Sequence, residues 1–183
     1  RPWLAAVAAV VLAGCASGPK LFVNEDPGAD FGSYRTFAFS TPLGTDSPQY
    51  SSMLSTFLKD ATRRELEARG YRYVESDPDL LVNFYVKTKE KVTSTSVPTG
   101  PAYGAGYYGY RGMNYGVWSG YETQVSQYTE GTLNIDLVDT RQKRLIWEGV
   151  AVGRVRDDIR ENLKPAVDGV VTQIFAKYPH RAP

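Results

Sequence analysis

Apolar and polar residues alternate along this chain with two different periods. At Leu80, Val82, Phe84 and Val86 the apolar positions recur every second residue, interleaved with Leu81, Asn83, Tyr85 and Lys87. That is the pattern of a strand with one buried face. Residues 132–138 repeat it: Leu133, Ile135 and Leu137 point inward and Thr132, Asn134 and Asp136 point outward. Residues 20–24, 34–39, 71–74, 121–128 and 144–155 read as the other strands, with Leu145, Ile146 and Trp147 as the buried heart of the last. Pro27-Gly28 predicts a turn, Glu130-Gly131 a turn or bulge, and residues 139–143 a hairpin loop.

The second period is helical. Tyr50, Leu54, Phe57, Leu58 and Ala61 recur at spacings of three and four, which makes one apolar face. Ser47 is the expected N-cap with Pro48 in the first turn, and Gly70 the expected C-terminal stop. Glu65 falls on the apolar side, where an isolated charge is costly, so it is expected at the rim with a basic partner. Pro165 opens a last helix with the stripe Val167, Val170, Val171, Ile174, Phe175 and Tyr178. A helix this short is marginal alone. Burying five of those side chains at roughly 1.5–3 kcal/mol each gives on the order of 10 kcal/mol gross, so docking on the sheet stabilises it. The expected fold class is α+β, a mainly antiparallel sheet with two amphipathic helices on one face, in the order β-β-α-β-β-β-β-β-α. The other face carries Asn83, Tyr85, Lys87, Asn134 and Asp136, and water or a partner covers it.

Two stretches follow neither period. Residues 98–120 are dense in Gly and Tyr and are expected to be a mobile excursion. Tyr107, Tyr108, Tyr110, Tyr115 and Trp118 within it have the amphipathic character of interface anchors and form a candidate interaction surface. The apolar run from Trp3 to Ala13 is too short to span a bilayer and suits a secretory signal. It ends in Leu12-Ala13-Gly14-Cys15, which resembles a bacterial lipobox. The resemblance implies a signal peptide over 1–14, cleavage before Cys15, and diacylglycerol and palmitate on that residue. The start of the leader is expected upstream of Arg1. Residues 15–19 then form a tether, and residues 20–180 one domain. The six steps from Cys15 to Leu21 reach only roughly 20 Å, which holds the domain against its membrane. Ala16 stands where an Asp would retain a lipoprotein in the inner membrane, and by that resemblance the expected address is the periplasmic side of the outer membrane.

Charge narrows the function classes. The formal net charge is +1, and loss of residues 1–14 removes Arg1 and no acid, leaving a neutral chain. Nucleic-acid binding would need a basic footprint. Cys15 is the one cysteine, so no thiol remains for redox chemistry once it is lipidated. His180 is the one histidine; it lies beyond Pro179 in a tail expected to fray, which argues against a serine-histidine hydrolase and a histidine zinc site. Gly104, Gly106 and Gly109 match the dinucleotide fingerprint, but Gly/Tyr sequence flanks them where a strand and a helix are needed. No cofactor and no metal is expected. Asp136, Asp139 and Glu148 remain as candidates for acid/base chemistry, as in glycan cleavage.

Asp30-Phe31-Gly32-Ser33-Tyr34-Arg35-Thr36-Phe37, Glu65-Leu66 before Arg69-Gly70-Tyr71, Pro78-Asp79-Leu80-Leu81-Val82, Gly131-Thr132-Leu133 with Asp136, Leu145-Ile146-Trp147-Glu148-Gly149, and Tyr178-Pro179 occur in this order. With the lipobox, they resemble the bacterial lipoproteins of domain of unknown function family 4136, over residues 20–179. The resemblance implies an α+β fold and an envelope location, and carries no catalytic residues. The expected function is that of an outer-membrane-anchored periplasmic lipoprotein, a non-enzymatic module that binds or scaffolds an envelope protein or glycan. The alternative is a carboxylate-dependent hydrolase of cell-wall glycan.

Overall fold

The alternating segments form a single sheet. The computed structural model describes residues 18–47, 51–99 and 120–183. Six strands, β1 (Lys20–Glu25), β2 (Thr36–Phe39), β3 (Arg72–Tyr73), β4 (Leu80–Thr99), β5 (Gly120–Asp139) and β6 (Arg144–Arg154), lie in the order β1-β6-β5-β4-β2-β3. Helices α1 (Met53–Glu67), α2 (Asp157–Glu161) and α3 (Leu163–Phe175) complete the described fold, with one turn of 3-10 helix at Phe31–Ser33.

The sheet is mixed. Antiparallel ladders join β1, β6, β5 and β4, whereas β2 runs parallel to both β4 and β3. The cause is the helix between β2 and β3: a helical crossover returns the chain to the end from which it started, so the strands it joins pair in parallel.

The expected break at Glu130-Gly131 is absent. The register runs without interruption from Leu80↔Asp139 to Thr99↔Gly120, through Lys89↔Glu130 and Thr88↔Gly131. Residues 121–128 and 132–138 are therefore one strand, and four strands rather than five separate α1 from the helices that follow. Gly131 serves close approach instead of a turn, since a Cβ there would lie 2.7 Å from Val155 Cγ2. The register shift falls at Leu137/Val138, opposite Trp147 and Leu145. Strand pairing also claims residues 98, 99 and 120 from the expected excursion; residues 100–119 lie outside the described residues.

Helix α1 starts later than Ser47-Pro48 predicts. Asp46 Oδ1 accepts hydrogen bonds from Ser51 Oγ at 3.0 Å and Ser52 N at 3.1 Å, which holds these two serines ahead of the helix. Ser52 is the N-cap, its Oγ accepting from Ser55 N at 3.0 Å. Tyr50 lies outside the described residues. After Glu67 the chain turns through Gly70 at φ +91°, and Tyr71 N–H reaches back to Leu66 O at 3.2 Å. Pro165 is the third residue of α3, not its opening, and α2 is a short helix that the apolar pattern does not mark. As expected, Glu65 sits at the rim, 2.7 Å from Arg69 Nη1, and also accepts from Thr172 Oγ1 at 2.7 Å.

Both long helices cover one face of the sheet. Leu58 and Leu66 of α1 and Val171, Ile174 and Phe175 of α3 pack in one buried cluster with Phe37, Val82, Phe84, Ile135, Leu137 and Trp147. The chain after α3 stays in this core. Tyr178 is buried, with its hydroxyl 2.9 Å from that of Tyr71, and burial pushes both phenols above their ordinary range. His180 does not fray: its ring stacks on Phe31 at 3.7 Å and Nε2 lies 2.9 Å from Glu25 Oε2. Gly149 lets α3 approach β6, because a Cβ there would lie 2.3 Å from Ile174 Cγ2 and 2.5 Å from Trp147 Cη2. Gly149→Ala is expected to cost about 1–3 kcal/mol by overpacking, read as a lower denaturant midpoint with an unchanged slope.

Candidate functional site

Register decides what the face away from the helices displays. Residues directly opposite one another share a face, so the pairings define rows across the strands. One row is Asn24 (β1), Glu148 (β6), Asp136 (β5) and Asn83 (β4). The row on one side is Leu145, Val138, Leu81 and Ala38, and on the other Phe22, Val150, Asn134 and Tyr85. A polar line with two carboxylates thus runs between largely apolar lines. Phe22 is 54% exposed, Tyr85 51% and Leu145 46%.

The carboxylates in that line are unequally supported. Glu148 accepts from Asn24 Nδ2 at 3.0 Å through one oxygen and from Asn134 Nδ2 at 2.7 Å through the other. Asp136 Oδ1 is buried with no hydrogen-bond partner. Burial, then the charge of Glu148, pushes the Asp136 carboxyl up to about 6. Ionisation of Asp136 therefore opposes folding. A carboxyl whose pKa is raised in the folded state contributes its full stability below the unfolded value of 3.8, and loses it as pH rises through about 6. The shift sets a ceiling of about 3 kcal/mol, which partial exposure reduces to about 1–2 kcal/mol. Asp136→Asn is expected to raise the melting temperature by about 4 °C at pH 8 and by almost nothing at pH 4, measured by thermal melts at both.

Asp139 does not join them. It lies at the mouth of the β5–β6 hairpin, 3% exposed, and accepts from Tyr34 Oη, Arg141 N and Gln142 N, each at 2.8 Å. Burial resists its ionisation, but these donors outweigh it and hold the carboxyl below the ordinary range. Tyr34 is correspondingly pushed up to about 12, by burial first and then by the Asp139 hydrogen bond. Of the three candidate acids, the structure brings together Asp136 and Glu148 and assigns Asp139 to the hairpin. Asn24, Asn83 and Asn134, which complete the polar surroundings, are not singled out by sequence motifs. Their polar positions within strands are visible there, but the register that aligns them is not.

Beyond the ends of β2 and β6, strands β4 and β5 continue as a two-stranded ribbon. Residues 90–99 and 120–129 pair with each other and with no further strand among the described residues. Ten residue pairs at about 3.3 Å per residue carry the ribbon roughly 30 Å outward. Val92 and Val125 on it are 64% and 62% exposed. Its last pair is Thr99↔Gly120, between which the sequence places the Gly/Tyr segment. Tyr107, Tyr108, Tyr110, Tyr115 and Trp118 lie outside the described residues, as do Cys15 and the leader. No helix among the described residues is long and apolar enough to cross a membrane. Among them, no group of three or more His, Cys, Asp or Glu side chains is placed to hold a metal ion.

The family model described as "Domain of unknown function (DUF4136)" matches residues 22–180. No curated protein matches this sequence. Among solved structures, the chain is similar to a DUF4136 family protein from Bacteroides thetaiotaomicron, with 17% identity and a TM-score of 0.52, covering 88% of this chain and 96% of that one. It is also similar to a PDZ domain protein from Parabacteroides distasonis, with 19% identity and a TM-score of 0.55. That match covers 91% of this chain but 38% of the other, so this chain spans well under half the length of that relative. At these identities the likeness is one of fold.

Proposed function

The chain belongs to the DUF4136 family, and from that premise we propose that it is a lipid-anchored, non-enzymatic binding module of the bacterial cell envelope. Cys15 carries the lipid, the short tether keeps the domain at the periplasmic side of the outer membrane, and the open sheet face receives an envelope protein or glycan. The observation that carries this reading is the uncovered sheet face. Phe22, Tyr85 and Leu145 expose apolar area on the sheet face that neither long helix covers, where a second layer would otherwise pack. The ribbon supports it by carrying outward Thr99 and Gly120, the residues that flank the Gly/Tyr segment in the sequence.

One observation favours the hydrolase alternative: burial and the neighbouring Glu148 push the Asp136 carboxyl up to about 6, toward the range a general acid needs. Against it, both Glu148 oxygens are held by asparagine amides, and the pair lies on an open face rather than in a cleft. Complementation of a deletion strain separates the readings. Phe22→Glu with Tyr85→Glu is expected to abolish function, and Asp136→Asn with Glu148→Gln to preserve it. The opposite result would establish the carboxylates as the working groups.

A further inference from the structure

A groove of about 1160 Å³ opens on the helix-bearing face, where the strands run out beyond the cover of α1 and α3. Leu54, Leu133, Val155, Leu163, Val167 and Val170 line it. Leu54, Leu133, Leu163 and Val170 belong to the margin of the core yet are only partly buried. Apolar side chains from α1, α3, β5 and the segment after β6 thus converge on one space. Lys20, Glu130, Arg154, Arg156, Asp158 and Gln173 also line the groove, but most of its exposed wall is apolar, and that part suits a hydrocarbon.

The chain's own N-terminal segment leads into this space. Gly18 and Pro19 form part of its wall. Pro19 lies on Gly153, where a Cβ would come within 3.3 Å of the proline Cβ, and Gly18 sits beside Gln173 of α3. The glycine in β6 therefore leaves room for the entering chain. Cys15 precedes Gly18 by three residues, which reach at most about 11 Å. That reach is short enough for a chain attached to its sulfur to enter the groove.

We propose that the groove holds one acyl chain of the lipid on Cys15. The inference rests on the lipid-anchor reading above and adds a site to it. The domain is then more than a passenger on its anchor: it can shelter part of the lipid from water when it is away from a bilayer, and exchange that chain with the membrane when it docks.

Gly169 supplies the test, because it lines the groove and a Cβ there meets nothing within 4 Å. Gly169→Trp would set a bulky side chain at the groove from a Cβ that is itself clear of neighbours, and Gly169→Ala controls for the change in helix propensity. The full chain is produced in cells fed a palmitate analogue bearing a diazirine, irradiated in the membrane-free fraction and in membranes, and mapped by peptide mass spectrometry. The expected result is a labelled Cys15 with adducts at Leu133, Val155 and residues 163–170, falling at least fivefold in Gly169→Trp and unchanged in Gly169→Ala. A labelled Cys15 with adducts elsewhere overturns the groove assignment alone. An unlabelled Cys15 overturns the anchor reading and this one together. The Cys15→Ala protein, irradiated with phosphatidylglycerol vesicles carrying the same diazirine chain, should leave the groove unlabelled. Equal labelling there would assign the groove to bilayer lipid and overturn the proposal.

Discussion

Trp147→Ala is expected to lower stability by about 3–5 kcal/mol, the range for emptying a large aromatic site in a packed core. Trp147 is 0% exposed. Its ring lies 5.6 Å from Phe175 and 5.0 Å from Tyr178 between centroids, so it joins β6 both to α3 and to the chain that follows. Removing it takes the central contact from two elements at once. Gly149 beside it holds no side chain that could move into the space. For a chain of this length, roughly 2–4 °C per kcal/mol makes the loss about 10 °C in the melting temperature. Thermal melts followed by circular dichroism measure it, and Trp147→Phe should recover more than half.

Asp139→Ala is the other large effect, about 3 kcal/mol. The substitution leaves the Tyr34 hydroxyl and the N–H groups of Arg141 and Gln142 without their shared acceptor. Hydrogen bonds to a charged group contribute about 1.5–3 kcal/mol each and are not additive when they share an acceptor. Because the folded-state pKa of Asp139 is depressed, its contribution is present above the ordinary carboxylate range and is lost as pH falls through the folded value. The difference between wild type and Asp139→Ala should therefore shrink below about pH 4 in urea titrations, opposite in sign to the dependence expected at Asp136. Asp79 behaves in the same sense as Asp139. Burial resists its ionisation, and donation from Arg35 N at 2.9 Å and Thr36 N at 3.0 Å prevails.

These two aspartates show where sequence is informative and where it stops. The alternation over residues 132–138 puts Asp136 on the polar face of a strand, and Asp139 falls just past its end in the hairpin loop; that much is legible without coordinates. What each carboxylate meets is not. The environment of Asp136 depends on Glu148 in β6 and that of Asp139 on Tyr34, both brought in by long-range register. The same distinction runs through the fold. The alternation over residues 80–87 and the stripe from Val167 to Phe175 report burial directly, because hydration acts on each side chain where it stands. The parallel placement of β2 depends instead on which strand its neighbours choose. Gly131 reads equally well as a turn or as a site of close approach, and only the side chain of Val155 decides. Ser47-Pro48 is a sound helix start by local chemistry, yet Asp46 draws Ser51 and Ser52 into a loop and the helix begins at the next capping serine.

The polar row has the same origin. Four residues from four strands, separated by as much as 124 positions in the case of Asn24 and Glu148, meet only because three ladders set a common register. Their apolar neighbours Phe22 and Tyr85 are the residues through which the proposed partner would be held.

Site-directed photo-crosslinking at Tyr85 tests the central claim most directly. A photoreactive residue is placed there in the full lipidated chain, with Cys15→Ala as the comparison, and irradiated in intact cells. The account predicts one discrete adduct with an envelope component that disappears when the lipid site is removed and persists in Asp136→Asn with Glu148→Gln. No adduct at Tyr85, or the same adduct without Cys15, would contradict a membrane-confined binding module that works through its open sheet face.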